Sequence, residues 1–225
     1  TKKDNYPITR IDETFDALNG MQYFSTMDLA SGYWQIEIKE QDKEKTAFTT
    51  KHGHFEWEVM PMGLTNAPAT FQRLMDLVLS GLKWECCLVY LDDVIIFSKT
   101  FDEHISAVGR VLDAFGKSQL RLRIDKCHFL ALKVTFLGHI VSREGISTDP
   151  KKTAAIKDFV KPNTLKKLRG FLGMCNYYRR FVQDYALIAG PLYEMLKKDK
   201  LAAWSDESTA AFEKLKAKLT DTPVL

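Results

Sequence analysis

The sequence lacks the features that would place it in a membrane. No apolar run reaches the roughly 20 residues that a membrane-spanning helix needs. No N-terminal stretch has the layout of a signal peptide. The chain also lacks an initiating Met, beginning at Thr1 and ending abruptly at Leu225. We therefore expect no membrane association, and we interpret the chain as a piece of a longer protein.

Cysteine is scarce, and its placement argues against disulfide or zinc chemistry. The four cysteines are Cys86, Cys87, Cys127 and Cys175, and no pair has metal-ligand spacing. Cys86 and Cys87 lie in an apolar run, which favours buried thiols. Free thiols fit a reducing intracellular compartment.

The small net charge of +3 hides an uneven distribution. Residues 1–150 carry 17 basic and 21 acidic side chains, whereas residues 151–200 carry 12 basic and only 4 acidic ones. A concentration of Lys and Arg in one segment is typical of a surface that binds a polyanion such as nucleic acid. The alternative is a solvated helix face with no partner.

The 225 residues, 45% of them hydrophobic, suffice for one or two domains with a substantial core. Apolar residues recur at helical spacing in residues 67–79 and 101–115, and short strand-like runs lie between these helices. From Asp149 onwards the pattern is helical and basic. This order predicts an α+β fold with an antiparallel sheet, followed by a helical region.

Two adjacent carboxylates interrupt the most apolar part of the chain. Residues 88–91 and 94–97 predict two short strands, with Asp92 and Asp93 at the tip of a tight hairpin. Two-residue hairpin turns favour Asn-Gly or Asp-Gly rather than Asp-Asp. Adjacent like charges also repel each other unless a cation lies between them. This combination indicates a functional pair, the alternative being a solvated acidic turn.

A third carboxylate, Asp28, lies near the end of another predicted strand, Met21–Leu29. Three acids on neighbouring strand ends would form a cluster that divalent cations stabilise. Hard oxygen ligands of this kind suit Mg²⁺ or Mn²⁺. Two metals that share carboxylates are the usual arrangement for nucleotidyl transfer. A two-metal nuclease or phosphatase would use the same acids and is the alternative.

Several blocks of the sequence, in the same order, resemble the reverse transcriptase of gypsy-type LTR retrotransposons, a part of their Pol polyprotein. The blocks are Tyr6–Asp12, Phe24–Tyr33, Met60–Gln72, Tyr90–Asp93 and Phe136–His139. The resemblance covers nearly the whole chain. It implies a right-hand polymerase palm over residues 1–145 with a partial fingers insertion at about 39–62. A helical thumb over 146–200 and the start of a connection towards an RNase H domain over 201–225 would follow.

The resemblance also implies a chemistry: an RNA-directed DNA polymerase that joins a dNTP to a primer 3′-OH on an RNA or DNA template. Asp28, Asp92 and Asp93 would be catalytic and would hold two Mg²⁺ ions, or Mn²⁺, with the carbonyl of Leu29. Tyr33 would act as a steric gate against ribonucleotides, the alternative being a core aromatic residue. The residues implied to contact the dNTP are Tyr33, Met62, Gly63, Gln72 and Lys126.

Two further groups of residues would hold the nucleic acid. The primer grip would comprise Phe136, Leu137, Gly138 and His139. The thumb surface would comprise Lys166, Arg169, Gly170 and Gly173. Glycines inside a predicted helix lower its stability; they indicate close approach to a nucleic-acid backbone or, alternatively, tight helix–helix packing.

The sequence departs from the family pattern at its N-terminal end. Family members carry upstream fingers strands with basic residues that hold the triphosphate, and this sequence begins after them. The alternative function is therefore a non-catalytic nucleic-acid-binding fragment or a domesticated derivative. The partners implied by the family are a template–primer duplex, RNase H or integrase domains of the same polyprotein, and a second copy of the chain. The location implied is a cytoplasmic virus-like particle.

Overall fold

The structure is a computed structural model that describes residues 1–197 and 203–220. The chain divides into two compact units, Thr1–Phe136 and Leu137–Leu225. This boundary lies earlier than the one expected after residue 145. The reason is that His139, just after the boundary, packs on rings of the helical segment, including Tyr178 and Phe181.

The first unit combines antiparallel strands with helices. Its helices and strands are α1 (Ile11–Ala17), β1 (Tyr23–Asp28), α2 (Glu40–Lys43), β2 (Phe48–Thr50), β3 (Gly53–Phe55), α3 (Ala67–Val78), β4 (Cys87–Tyr90), β5 (Asp93–Ser98), α4 (Phe101–Lys117), β6 (His128–Ala131) and β7 (Lys133–Phe136). Short 3₁₀ turns span Gly32–Gln35, Glu44–Thr46 and Ile124–Lys126. The predicted α+β class with an antiparallel sheet is confirmed.

Four of these strands form one sheet in the order β4-β5-β1-β6. The central strand β1 pairs antiparallel with β5 and β6. Its buried Met27 belongs to a core that α3 extends with Phe71 and Met75, all of them fully or almost fully buried. Helix α4 packs on β1 and β5 and begins with a capping box, in which Thr100 bonds to the first turn. The sheet is therefore a rigid support for whatever its strand ends carry.

Two segments whose apolar and polar residues alternate as they do in strands consist mostly of turns. Residues 33–38 begin in the 3₁₀ turn Gly32–Gln35, and residues 120–124 contribute only an isolated bridge between Leu29 and Leu122 before another 3₁₀ turn. The side chain of Gln35 joins the two segments. Its amide nitrogen donates to the carbonyl oxygens of Ala30 and Arg121 (2.8 and 3.0 Å), and its amide oxygen accepts from the Arg121 N–H (2.7 Å). These side-chain bonds add to the few backbone bonds that the two segments keep, which join residues 28–30 to 121–123 and residues 36–38 to 58–60.

The segment expected to be the fingers insertion contains a hairpin of β2 and β3, which pair antiparallel from Phe48↔Phe55 to Thr50↔Gly53. Asn66 makes no capping bond to α3. Its side chain accepts from the Asp4 N–H and donates to the Lys2 carbonyl instead, so it ties down the start of the chain.

The second unit is a hairpin followed by helices. Its elements are β8 (His139–Ser142), β9 (Gly145–Thr148), α5 (Pro150–Lys157), α6 (Leu165–Tyr177), α7 (Tyr185–Glu194) and α8 (Asp206–Thr220), with a 3₁₀ turn at Arg179–Phe181. Helix α8 packs against α5 and α7, and its Phe212 ring lies 4.6 Å from that of Phe171. Residues 206–220 are therefore part of this unit rather than a separate connection.

Within residues 1–197 and 203–220, no helix has both the length and the apolar character that crossing a membrane requires.

Candidate active site

Strand pairing brings three carboxylates to one end of the sheet. Asp28 is the last residue of β1, Asp93 is the first residue of β5, and the two residues face each other directly across the antiparallel pair. Asp92 lies in the turn between β4 and β5. The turn consists of Leu91 and Asp92, one residue earlier than expected. Leu91 adopts a φ of +54° and thereby provides the left-handed conformation that such a turn requires.

Three negative charges, those of Asp28, Asp92 and Asp93, lie close together at this edge of the sheet. Asp92 and Asp93 are exposed, yet the surrounding protein partly desolvates them, and this desolvation is the main reason that their pKa values are raised. The negative charge of Asp28 raises both pKa values further. Lys126 opposes the effect on Asp93; its Nζ lies 3.6 Å from Oδ2 of Asp28. The cluster is therefore short of positive charge.

The segment after β1 places the predicted steric gate beside the carboxylates. A Cβ on Gly32 would lie 2.7 Å from the Phe71 ring and 3.5 Å from Oδ1 of Asp92, so only glycine fits there without a shift. Tyr33 packs edge-on against the same Phe71 ring, with 5.3 Å between centroids. Burial and the charge of Asp92 raise the pKa of Tyr33. The steric-gate role stays a prediction, but the location of the ring fits it.

One predicted dNTP contact does not fit the structure. Gln72 is completely buried, so its side chain has no surface to offer a nucleotide. Its amide oxygen accepts from the Leu91 N–H (2.9 Å), and its amide nitrogen donates to Oδ1 of Asp76 (3.0 Å). Gln72 therefore fixes the turn that carries Asp92.

Asp76 continues this buried chain of hydrogen bonds. Its Oδ1 also accepts from Nζ of Lys83 (2.6 Å), and its Oδ2 accepts from the hydroxyl of Tyr6 (2.9 Å). Burial opposes ionisation of Asp76, but the hydrogen bonds from Lys83, Tyr6 and Gln72 together lower its pKa. A charged, fully bonded Asp76 can hold Gln72 in one orientation. The sequence pattern carried no sign of this network.

The donor set suits a hard divalent cation. Asp28, Asp92 and Asp93 offer only carboxylate oxygens, the ligands that Mg²⁺ and Mn²⁺ prefer. Their mutual repulsion, seen in the raised pKa values of Asp92 and Asp93, is what a cation would relieve. In the described part of the chain, no group of three acidic, His or Cys side chains is arranged to hold a metal ion. The three carboxylates therefore fit a divalent cation in kind and charge, while their side chains do not form a closed ligand set.

The remaining predicted nucleotide contacts, Met62, Gly63 and Lys126, are accessible, whereas the predicted metal ligand Leu29 has a buried side chain. Met62 and Gly63 lie on an exposed loop before α3, and the φ of Gly63, +90°, explains the need for glycine. Lys126 is half-exposed beside Asp28. Leu29 follows Asp28 and is buried. Roles for these four residues stay predictions.

In the second unit, two tyrosines clamp the turn predicted as the primer grip. Leu137 and Gly138 adopt consecutive positive φ angles of 45° and 66°. The hydroxyl of Tyr177 donates to the Leu137 carbonyl (2.7 Å), and that of Tyr178 donates to the Gly138 carbonyl (3.1 Å). Nδ1 of His139 lies 2.6 Å from the Leu137 carbonyl and must carry a proton, because a carbonyl only accepts. Phe136, the remaining predicted member, ends β7 and is buried.

Helix α6 presents the predicted thumb surface. Its apolar side buries Leu168, Phe171, Leu172 and Cys175. The opposite side exposes Lys166, Arg169, Gly170 and Gly173. A Cβ on either glycine would meet no atom within 4 Å among the described residues. Tight packing within the described structure therefore does not explain these glycines.

Comparisons with known proteins agree with this geometry. Residues 1–141 match the family model for reverse transcriptase (RNA-dependent DNA polymerase). The Pol polyproteins of the Drosophila melanogaster transposons 297 and gypsy are 47% and 40% identical over 226 and 197 residues, which is 100% and 88% of this chain. These matches cover 21% and 19% of the relatives, so the chain spans about a fifth of their length.

Solved structures agree as well. The foamy viral protease–reverse transcriptase in complex with double-stranded DNA superimposes with a TM-score of 0.92 at 26% identity, covering 100% of this chain and 40% of that one. The same kind of protein in complex with an RNA/DNA hybrid gives a TM-score of 0.84 at 26% identity, with 99% and 30% covered. The chain belongs to the reverse transcriptase family, whose members are nucleotidyltransferases of the RNA-directed DNA polymerase type.

Proposed function

We propose that this chain performs the nucleotidyl-transfer step of an RNA-directed DNA polymerase, joining a dNTP to a primer 3′-OH on an RNA or DNA template. The observation that carries the proposal is the direct pairing of Asp28 with Asp93, which places Asp92 beside them at an edge short of positive charge. Like charges held opposite each other destabilise a sheet unless something else compensates. A bound cation is that compensation.

Asp28 and Asp92, assisted by Asp93 and the carbonyl of Leu29, would hold two Mg²⁺ ions or Mn²⁺. These ions, when bound, lower the pKa of the primer hydroxyl and stabilise the charge that develops on the leaving pyrophosphate. Gln72 keeps Asp92 in place through the Leu91 N–H. The ring of Tyr33, held by Phe71, would leave no room for a ribose 2′-OH.

The second unit would bind the template–primer duplex. The face of α6 that carries Lys166, Arg169, Gly170 and Gly173 is positive and has two positions with no side chain, where a nucleic-acid backbone can approach closely. The solved foamy viral neighbours are complexes with double-stranded DNA and with an RNA/DNA hybrid. Both observations support a duplex as the partner of this chain.

Primer extension tests the proposal. The chain is incubated with an RNA template, a labelled DNA primer, dNTPs and Mg²⁺ or Mn²⁺, beside the Asp92→Asn variant. Loss of a metal ligand removes several kcal/mol of transition-state stabilisation, so extension is expected to fall by roughly three orders of magnitude. As a second readout, Mn²⁺ should raise the melting temperature of the original chain more than that of Asp92→Asn, because a ligand stabilises only the state that binds it.

The products separate the alternatives. A primer that grows supports polymerisation, whereas a primer that shortens indicates a two-metal nuclease. Salt-sensitive duplex binding without either change indicates a non-catalytic binding fragment. Extension that survives Asp92→Asn would overturn the assignment of the metal site.

We also propose a location and further partners. The thiols of Cys86, Cys87 and Cys175 are free and buried, which fits a reducing compartment such as the cytoplasm or, alternatively, the nucleus. The matched relatives are polyproteins several times longer than the matched region. This length fits association with RNase H or integrase domains of the same polyprotein, or with a second copy, inside a cytoplasmic virus-like particle.

A further inference from the structure

A cavity in the first unit is lined by no residue that the proposed function uses. It has a volume of about 410 Å³, and Cys86 is part of its wall. Charged side chains of both signs line it as well, namely Lys99 and Arg110 together with Glu85 and Glu103. We call it the Cys86 cavity. Its size suits a small organic molecule.

A tight turn brings a second thiol, that of Cys87, beside Cys86. The backbone N–H groups of both cysteines donate to the carbonyl oxygen of Leu82 (3.0 and 3.3 Å). Trp84 closes the turn with a φ of +71°, a left-handed conformation that is rare for a bulky residue. Neighbouring side chains of a regular strand point to opposite faces, whereas here the Cys87 thiol donates a hydrogen bond to the Cys86 sulfur.

The two thiols differ in reactivity. The hydrogen bond between them lowers the pKa of Cys86 and raises that of Cys87, because it stabilises the thiolate of Cys86 and the thiol form of Cys87. The Arg110 guanidinium lowers the pKa of Cys86 further, against the opposing effects of burial and of Glu85. Cys87 is completely buried, whereas Cys86 borders the cavity. A thiol that lies beside a cation and borders a cavity has the surroundings of a nucleophilic cysteine.

An internal disulfide between the two cysteines is disfavoured. Consecutive Cα atoms lie about 3.8 Å apart, whereas the Cα atoms of a disulfide are usually about 4.4–6.8 Å apart. The raised pKa of Cys87 also keeps this residue in the thiol form, which does not attack a disulfide. A group attached to Cys86 through sulfur would therefore stay there until an external thiol removes it.

We propose that Cys86 is a site of reversible modification by a small disulfide whose halves carry carboxylate and ammonium groups, as oxidised glutathione does. The Cys86 thiolate attacks one sulfur of this disulfide, so a new S–S bond forms to Cys86 as the original S–S bond breaks. The departing thiolate takes a proton from water. Cys86 is thereby oxidised, and the departing half of the disulfide is reduced.

The charges of the cavity match such a reagent. Lys99 and Arg110 attract its carboxylates, and Glu85 and Glu103 attract its ammonium group. Cys86 immediately precedes β4, whereas Asp92 follows the other end of that strand. The modification site is therefore separate from the carboxylate cluster, and it goes beyond the proposed function without depending on it.

Peptide mapping after treatment with oxidised glutathione tests the site. The folded chain is incubated with this disulfide, iodoacetamide stops the reaction, and mass spectrometry locates the added group at each cysteine. Cys127 is the internal control, because it is more exposed than Cys86 and does not line the cavity. Exposure alone predicts that Cys127 reacts first, whereas the cavity predicts that Cys86 does. The unaltered chain suffices for this measurement, so no variant has to fold.

A second comparison tests the charge of the cavity. The rate of modification at Cys86 is measured with oxidised glutathione and with cystamine, a cationic disulfide, for the original chain and for two variants. A change in the pKa of Cys86 affects both reagents alike, so the ratio of the two rates isolates the attraction between cavity and reagent. Arg110→Gln should lower the ratio of the glutathione rate to the cystamine rate roughly tenfold. Lys117→Gln removes a cation from the same helix outside the cavity and should keep the ratio.

The outcomes are separate from those of primer extension. Modification of Cys86 ahead of Cys127, with a lower rate ratio in Arg110→Gln alone, would support the site. Faster modification of Cys127, a disulfide between Cys86 and Cys87, or reaction of Cys86 only in denaturant would overturn it. An unchanged rate ratio in Arg110→Gln would overturn the assignment to a carboxylate-bearing disulfide.

Discussion

The two units of the chain use charge in opposite ways. The first unit carries 16 basic and 19 acidic side chains, and its acids at residues 28, 92 and 93 meet only because β1 and β5 pair in one register. The second carries 16 basic and 10 acidic side chains, and its candidate binding surface lies on the single helix α6. A slip of one residue in the strands would scatter the acids, because side chains alternate between the faces of a sheet. On α6, by contrast, the arrangement of the surface residues does not depend on the register of a strand pair.

The difference shows what each kind of site demands. A site for bond formation depends on positions fixed to a fraction of an ångström by buried support. A site for backbone binding depends on the sum of many charges. Single substitutions near the sheet edge should therefore cause large losses in the rate of the reaction. Single substitutions on α6 should cause small losses in duplex affinity that depend on the salt concentration.

The largest effect expected from a residue outside the carboxylate cluster is that of Gln72→Leu. The change leaves the Leu91 N–H without its acceptor and Asp76 without one donor. An unpaired buried polar group costs about 1–3 kcal/mol. Because that cost falls on the turn that carries Asp92, we expect kcat for primer extension to drop roughly ten- to a hundredfold. The apparent affinity for duplex should not change.

Lys83→Met is the matched control. It removes another hydrogen bond to Asp76 but leaves the bond between Gln72 and Leu91 in place. A drop in unfolding free energy with nearly normal kcat is the expected result. Equal kcat losses in both variants would mean that Gln72 acts only through stability. The claim that the sheet edge depends on exact positioning would then be unsupported.

Gly170→Ala should have two smaller effects, a gain in stability and a loss of duplex affinity. The glycine lies inside α6, and the added methyl group meets no described atom. Alanine should therefore stabilise the protein by up to about 1 kcal/mol. If a nucleic-acid backbone approaches this position, the methyl group should weaken duplex binding by about 1 kcal/mol, or roughly fivefold.

Thermal melting and anisotropy measure these two effects on the same variant. Gly109→Ala in α4 is a suitable control, since it too is a helical glycine with open space around it but belongs to the first unit. It should gain stability and keep its duplex affinity. Unchanged affinity in Gly170→Ala would remove the reason for assigning α6 to the duplex.

Local patterns predicted much of this architecture. Helical spacing located α3 and α4 to within two residues at each end, since predicted helices 67–79 and 101–115 are observed as Ala67–Val78 and Phe101–Lys117. The acids of the cluster were found because a carboxylate in an apolar strand is costly and therefore informative. In both cases the signal lies within a few neighbouring residues.

What could not be predicted depends on contacts between distant residues. The turn begins at Leu91 rather than Asp92 because the carboxamide of Gln72, 19 residues earlier, holds the Leu91 N–H. The polar side chain of Gln35 holds the turn after β1 through bonds to Arg121, 86 residues away. Tyr177 and Tyr178 read as parts of an apolar helix end, yet they clamp a turn 40 residues away. Single side chains that bond to backbone leave no periodic pattern in a sequence.

The smallest predicted effect concerns His104, a buried histidine of the first unit. His104 bonds through Nε2 to Ser25 (2.7 Å) and through Nδ1 to Ser98 (3.1 Å). Ser98 donates to the Thr100 carbonyl, so it accepts from Nδ1–H. Ser25 accepts from the Leu130 N–H and is left to donate to Nε2. These hydrogen bonds place the imidazole proton on Nδ1 and leave Nε2 as an acceptor. The network therefore fits the neutral ring of His104 rather than its protonated form.

Burial accordingly lowers the pKa of His104. A lowered folded-state pKa means that the unfolded chain binds the proton first, so the contribution of His104 is complete above about pH 6.5 and is lost as the pH falls below it. The slope cannot exceed about 1.4 kcal/mol per pH unit for one proton. His139 is shifted in the same direction but lies in the second unit.

Hydrogen exchange of the Leu130 amide isolates the first unit, because that amide donates to Ser25 within the network. Its protection should fall between pH 6.5 and 5.5 in the original chain and should be flat over the same range in His104→Gln. The raised pKa values of Asp92 and Asp93 act with the opposite sign, removing stability as the pH rises through those values. A loss of protection on acidification that persists in His104→Gln would assign the effect to another group. The pH response of the first unit would then not originate in the hydrogen bonds that join His104 to Ser25 and Ser98.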